Sequence, residues 1–245
     1  MATAISIREV SKRFELHHER YPSLKERVIH FGKSTSEEFW ALRDVSFDVE
    51  QGTTVGILGA NGSGKSTLLK CIAGILRPTS GEVWLRGRVA ALLELGAGFQ
   101  PELTGRENIF LNGAILGMPR SELERRFDDI VAFAELEQFI DTQVRFYSSG
   151  MYTRLGFAVA VNVDPDVLIV DEILAVGDEA FQRKCIERIR QFQRDGHTIL
   201  LVTHAADSVR QLCQQAAVLD HGELVAWGAP GEAVRSYREH LLRHL

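Results

Sequence analysis

Residues 54–67 read "TVGILGANGSGKST", and they decide what kind of fold this chain adopts. A short apolar run rich in β-branched residues, 54–58, enters a glycine-rich turn, and the turn opens a helical pattern over 65–76. "GANGSGKST" at 59–67 satisfies G-x-x-x-x-G-K-[ST], with Gly59, Gly64, Lys65 and Ser66 in the fixed positions. Gly62 and Gly64 let the backbone bend so that successive N–H groups face one point and form a nest for an anion. The helix start adds partial positive charge there. Lys65 is expected to reach the β- and γ-phosphates of a nucleotide and Ser66 to offer its hydroxyl to Mg²⁺, with Asn61, Ser63 and Thr67 lining the same loop. The glycine spacing is not G-x-G-x-x-G, which disfavours a dinucleotide fold.

Outward from this strand–loop–helix, a second strand carries the matching acids. "DVLIVDE" at 166–172 is an apolar strand ending in two carboxylates. Side chains alternate along a strand, so Asp171 and Glu172 cannot do the same job. Asp171 is the expected magnesium partner, and Glu172 is then free to orient or deprotonate an attacking water.

Other short, nearly continuous apolar runs occur at 198–202 and 216–219, as expected for strands buried on both faces of a mostly parallel sheet. Helical patterns at 179–194 and 206–214 alternate with them, which points to an α/β layer architecture. Residues 106–160 read differently, as almost wholly helical, with Ser121 and Glu124 as a capping-box pair. A helical subdomain is therefore expected at about 106–160, inserted into a core formed by about 1–105 and 161–245. Near the start, "YPSLKERVIHFGKS" pairs Ser23 with Glu26 as another capping box and sets Leu24, Val28 and Phe31 on one face of a short basic helix. That helix either packs on its own domain or meets a partner.

The chain has 245 residues and a net charge of −5, which argues against a broad nucleic-acid-binding surface. Cys71, Cys185 and Cys213 are far apart and form no CxxC pair, so reduced, buried thiols are expected. "MATAISIREVSKRF" meets charged residues before any signal-peptide apolar region, and the apolar runs are strand-length. Work at a membrane would need a partner.

Taken in order, the phosphate loop, a glutamine at residue 100, a helical region, a serine-glycine turn, "LIVDE" and "LLVTH" resemble the nucleotide-binding subunit of ABC transporters. The resemblance implies a P-loop NTPase (RecA-like) core with an ABC-type antiparallel β portion, ATP and Mg²⁺ as ligands, and ATP hydrolysis coupled to transport. It assigns Gln100 to the loop that senses magnesium and faces the membrane subunit. It makes His204 a γ-phosphate contact, Asp178 a dimer-interface residue and Phe14 the ring that stacks on adenine. The family's signature turn corresponds to Tyr147, Ser148, Ser149, Gly150 and Met151, where LSGGQ is common. Ser148 keeps its hydroxyl and Gly150 its approachable N–H, while Ser149 and Met151 depart from the pattern.

"YSSGM", "LLELGAGF" and "DEILAVGDEAFQRKC" resemble the subfamily exporting lipid-linked polysaccharides such as O-antigen, teichoic acid and cell-wall galactan. That implies two copies of this chain sandwiching ATP beside two integral-membrane permease subunits, at the cytoplasmic face of the membrane, with no nucleic-acid partner. Ending at Leu245, the chain is expected to lack the carbohydrate-binding domain some members carry. Alternatives are an ABC transporter ATPase for another substrate, or an ABC ATPase acting on ribosomes or DNA.

Overall fold

The computed structural model describes residues 2–17, 36–91, 96, 98–171 and 178–243. Two sheets organise it. The smaller is antiparallel, built from β1 (Thr3–His17), β2 (Ser36–Glu50) and β4 (Ser80–Leu85) in the order β2-β1-β4. The larger has six strands: β3 (Thr54–Leu58), β5 (Val89–Ala91), β6 (Val167–Val170), β7 (Thr198–Val202), β8 (Gln215–Asp220) and β9 (Glu223–Gly228). Their order is β5-β6-β7-β3-β8-β9, parallel throughout except for the closing β8–β9 hairpin.

The central strands are apolar along most of their length because both faces are covered. Val167 and Ile169 of β6, Leu200 and Val202 of β7, and Ala217 and Leu219 of β8 face the core shared with the antiparallel sheet and α1 (Lys65–Ile72). Their alternates, Leu168, Val170, Ile199, Leu201, Ala216 and Val218, face the other core, with Phe157, Phe181 and Phe192 from the helices. The period of two thus sends one strand to two separate cores.

The remaining helices are α2 (Gly105–Ile115), α3 (Arg120–Ala134), α4 (Ser149–Val161), α5 (Glu179–Arg194), α6 (Ala206–Leu212) and α7 (Pro230–Arg243). Several boundaries differ from the sequence reading. Helix α1 stops at Ile72 rather than continuing to residue 76, because Gly74 turns left-handed at φ 74°. The Ser121–Glu124 capping box does not form: Pro119, with extended backbone, takes the N-cap position and puts Ser121 inside the first turn. The box that does form is Thr104–Glu107 at the start of α2. Residues 135–148 are not continuous helix but turns and a 3-10 turn, Val144–Phe146, tied to Thr104 by a bridge from Gln143. The helix read at 206–214 ends at Leu212. All three cysteines are free and buried, and burial pushes the thiols of Cys185 and Cys213 up to about 12. No helix among the described residues is long and apolar enough to cross a membrane.

Candidate functional site

Three loops that leave neighbouring parallel strands meet at one edge of the large sheet. Val170 pairs with Leu201, and Ile57 with Val202, so β6, β7 and β3 end side by side. Asp171 follows β6, Thr203 and His204 follow β7, and the loop 59–64 follows β3. Ligands of open α/β sheets bind outside the carboxyl ends of the strands, where these residues lie.

The glycine-rich loop has the required geometry. Gly62 and Gly64 take left-handed φ of 83° and 102°. A Cβ on Gly64 would lie 2.5 Å from the Ala41 carbonyl of β2, so the position has no room for a side chain. No side chain caps α1. Its first N–H groups have no intrahelical acceptor and remain available to an anion. The first intrahelical bond is donated by Leu68 N to the Gly64 carbonyl at 2.9 Å.

Lys65 is 9% exposed, and its Nζ donates to the Gly59 and Ala60 carbonyls at 2.7 and 2.8 Å. Ser63 Oγ is buried and has no hydrogen-bond partner. An orphaned hydroxyl, a buried ammonium and a backbone cradle form a donor set that suits a polyphosphate. Ser66 is exposed beside them, and its hydroxyl, the Asp171 carboxylate and the Gln100 amide oxygen are the hard ligands magnesium takes.

The hairpin turn between β8 and β9 supports the loop from behind. Gly222 N donates to the Ser63 carbonyl at 3.0 Å, and a Cβ on Gly222 would lie 2.7 Å from the Ala41 carbonyl. His221 and Gly222 both have positive φ, 46° and 84°, as a tight hairpin turn requires. "DHGE" carries that turn signal in the sequence, but nothing local ties it to the phosphate loop.

Gln100 precedes α2 and its side chain is exposed. Its backbone is fixed by Asn108, a residue the sequence reading missed. Asn108 is fully buried: Oδ1 accepts from Gln100 N at 2.7 Å, and Nδ2 reaches the Gln100, Leu103 and Thr104 carbonyls at 3.1, 3.2 and 2.9 Å.

The turn at 147–151 is an N-cap. Ser148 Oγ accepts from Met151 N at 3.2 Å and starts α4, so its own O–H hydrogen still has to find an acceptor. A Cβ on Gly150 would meet nothing nearer than Ser148 Oγ at 3.8 Å. Two tyrosines hold this helix start. Tyr147 donates to the Phe139 carbonyl at 2.8 Å and fills the space left by Gly105, where a Cβ would come within 2.2 Å of its hydroxyl. Burial, then the charge of Asp141, pushes the Tyr147 phenol up to about 12. Tyr152 donates to the Gly96 carbonyl at 2.8 Å and packs edge-on against Phe99, linking α4 to the segment before Gln100.

Asp178 caps α5 through Oδ1, which accepts from Phe181 N at 2.9 Å, while Oδ2 accepts from Arg154 of α4. The hydrogen bond from Phe181 N and the Arg154 charge hold its carboxyl below the usual range. Within one chain, then, Asp178 joins two helices. Phe14 of β1 stands in register with Phe39 of β2, which is 48% exposed, and Lys12 Nζ lies 5.2 Å from the Phe14 ring centre. Two residues beyond Phe39 on the same strand, the Ala41 carbonyl lies against Gly64 of the phosphate loop. Glu172, and the Leu24, Val28 and Phe31 face of the N-terminal segment, lie outside the described residues.

A family model described as ABC transporter matches residues 42–175. The O-antigen export system ATP-binding protein RfbB of Klebsiella pneumoniae is 43% identical over 243 residues, covering 98% of this chain and 99% of that protein. The ABC transporter protein AbcA of Aeromonas salmonicida is 54% identical over 87% of this chain and 68% of its own length. The teichoic acids export ATP-binding protein TagH of Listeria monocytogenes is 40% identical over 96% of this chain and 70% of its own. The chain spans 56% of a Myxococcus xanthus protein also named O-antigen export system ATP-binding protein RfbB. Among solved structures, an ATP-binding subunit of an ABC transporter superimposes with a TM-score of 0.76 at 24% identity, covering 96% of this chain and 94% of that one. The chain belongs to the ABC transporter ATP-binding family and is an ABC-type ATPase.

Proposed function

We propose that this chain is the ATP-hydrolysing subunit that powers export of a lipid-linked polysaccharide through a separate integral-membrane permease. The observation carrying the substrate class is the end-to-end match to the Klebsiella O-antigen export protein, 43% identical over 98% of this chain and 99% of that one. In the proposed assembly two copies sandwich two ATP molecules at the cytoplasmic face of the membrane. Each ATP lies between the phosphate loop of one copy and Ser148–Gly150 of the other.

The residues divide the work by chemistry. Lys65 exchanges the Gly59 and Ala60 carbonyls for phosphate oxygens, and the amides of Gly62 to Thr67 complete the cradle. Phe14 stacks on the base. Ser66, Asp171 and Gln100 would hold magnesium, which when bound neutralises charge on the β- and γ-phosphate oxygens. Glu172 orients or deprotonates the attacking water, and His204 contacts the γ-phosphate. Ser148 donates its hydroxyl, and Gly150 its N–H, to the γ-phosphate held by the partner copy. Asp178 lies near the same interface. Closure of the two copies would move the α2–α4 region and the permease with it.

The decisive experiment is Glu172→Gln in the assembled transporter. Nucleotide binding is expected to persist while turnover and glycan export nearly vanish. Hydrolysis at the wild-type rate would remove Glu172 from its role. A deletion strain that exports all its lipid-linked glycans normally would remove the substrate assignment.

A further inference from the structure

On the side of the molecule formed by α6 and α7, three arginines converge on one groove of about 670 Å³: Arg210 from α6, Arg235 and Arg238 from α7. Several arginines here have close carboxylate partners. Arg13, Arg106, Arg126, Arg145 and Arg154 each have one within 3.3 Å. Among the described residues Arg210 and Arg235 form no ion pair, and Arg238 has only Asp207, at 3.9 Å. Glu239 is the one carboxylate lining the groove, so positive charge is in excess in a chain whose net charge is −5.

The groove has a second donor feature at its other end. Pro230 and Gly231, the first residues of α7, also line it. Gly231 has no side chain to block approach, and a Cβ there would meet nothing within 4 Å. Its N–H lies in the first turn of a 14-residue helix, where the partial positive charge of the helix start is shared with the Glu232 carboxylate of the same turn. Guanidinium forks match the oxygen geometry of phosphate better than any other side chain does, and several forks suit an anion with several oxygens.

We propose that this groove binds a phosphate-bearing anion carrying at least two negative charges, at a site separate from the phosphate loop. Such a ligand would clamp α6 to α7. Helix α6 begins two residues after His204, and the opposite side of α7 presents Tyr237 and His240 to a cavity walled by Ala60–Ser63. The groove therefore lies between the helix that follows His204 and a helix whose other side lines a cavity with the phosphate loop. The proposal concerns binding and does not rest on the transport reading.

The test titrates inorganic pyrophosphate calorimetrically into the full chain at low salt, with the phosphate loop occupied by MgADP, and repeats it with Lys65→Ala. A parallel arm measures cosedimentation with phosphatidylcholine vesicles with and without phosphatidic acid. Arg210→Ala/Arg235→Ala is expected to weaken binding by about tenfold or more, while Lys65→Ala leaves it intact. Raising the salt should weaken it too. Arginine-dependent pyrophosphate binding identifies a free phosphate compound, and arginine-dependent vesicle binding alone identifies a lipid headgroup; either supports the site. The charge-keeping pair Arg210→Lys/Arg235→Lys should retain part of the binding, which separates loss of the site from loss of the fold. Equal binding by wild type and the alanine double variant, or binding of neither probe by wild type, overturns it.

Discussion

At the scale of single residues, one carbonyl leaves no room for a side chain at two glycines, one in the phosphate loop and one in the turn behind it. Ala41 O stands 2.5 Å from where a Cβ on Gly64 would be and 2.7 Å from where one on Gly222 would be. Gly64→Ala combines that clash with a φ of 102° that only glycine adopts easily. Nucleotide binding should fall to background in an equilibrium titration, and thermal unfolding should shift down by the equivalent of about 1–3 kcal/mol. Gly62→Ala is the instructive contrast, since a Cβ there meets nothing within 4 Å and only the φ of 83° resists it. Its stability loss should be smaller. These glycines were legible in the sequence because their spacing alone encodes the loop. Asn108 was not, because its four partners at Gln100, Leu103 and Thr104 become neighbours only after the loop and α2 have formed. Asn108→Ala leaves buried backbone groups unsatisfied and should cost about 1–3 kcal/mol in denaturant unfolding.

At the scale of elements, helix starts separate what sequence encodes from what context decides. Ser121–Glu124 and Thr104–Glu107 fit the same capping pattern, and only the second forms. Pro119 prefers extended backbone and so claims the N-cap position itself, leaving Ser121 two residues too late. At α2 the box is reciprocal: Glu107 accepts from Thr104 N at 2.8 Å, and Thr104 Oγ1 from Glu107 N at 3.2 Å. The bonds from Thr104 hold the Glu107 carboxyl below its ordinary value, and Asp178 at the start of α5 is lowered likewise by Phe181 N and Arg154. A depressed folded value means that each contribution is fully present above the unfolded carboxylate pKa. It is lost as the pH falls through the folded value, below about pH 4. Asp178→Asn should therefore lower stability at neutral pH and change it little in acid, flattening the acid limb of the pH–stability curve. Thr104→Val, which keeps the Thr104 N–H donor, should do the same to a smaller extent.

At the scale of the whole molecule, the strand order brings the ends of β6, β7 and β3 together, and apolar runs at 54–58, 167–170 and 198–202 were enough to expect those strands. The strand order itself was not legible, since short buried strands carry no local record of their neighbours. Helix α4 is the element through which distant parts are joined. Tyr152 ties it to Gly96, Arg154 ties it to Glu135 and Asp178, and Tyr147 just before it reaches Phe139. Tyr152→Phe removes one such tie without removing volume. In the proposed assembly its expected signature is a near-normal rate of hydrolysis by the isolated subunit with weakened stimulation by the proposed permease, read by comparing the two rates.

The empty space around Gly150 has a consequence of its own. Nothing among the described residues requires glycine there, and alanine in the first turn of α4 should leave stability unchanged or raise it by up to about 1 kcal/mol. If hydrolysis nonetheless falls about tenfold or more in Gly150→Ala, the demand for bare backbone comes from another molecule. Two inactive proteins could then rescue one another. A pair combining one copy with Lys65→Ala and one with Gly150→Val holds both defects in a single half-site and leaves the other half-site intact. Mixing the two inactive preparations should restore up to a quarter or so of the activity if copies exchange freely, by the statistics of two interchangeable subunits. No mixture of either variant with itself should do so.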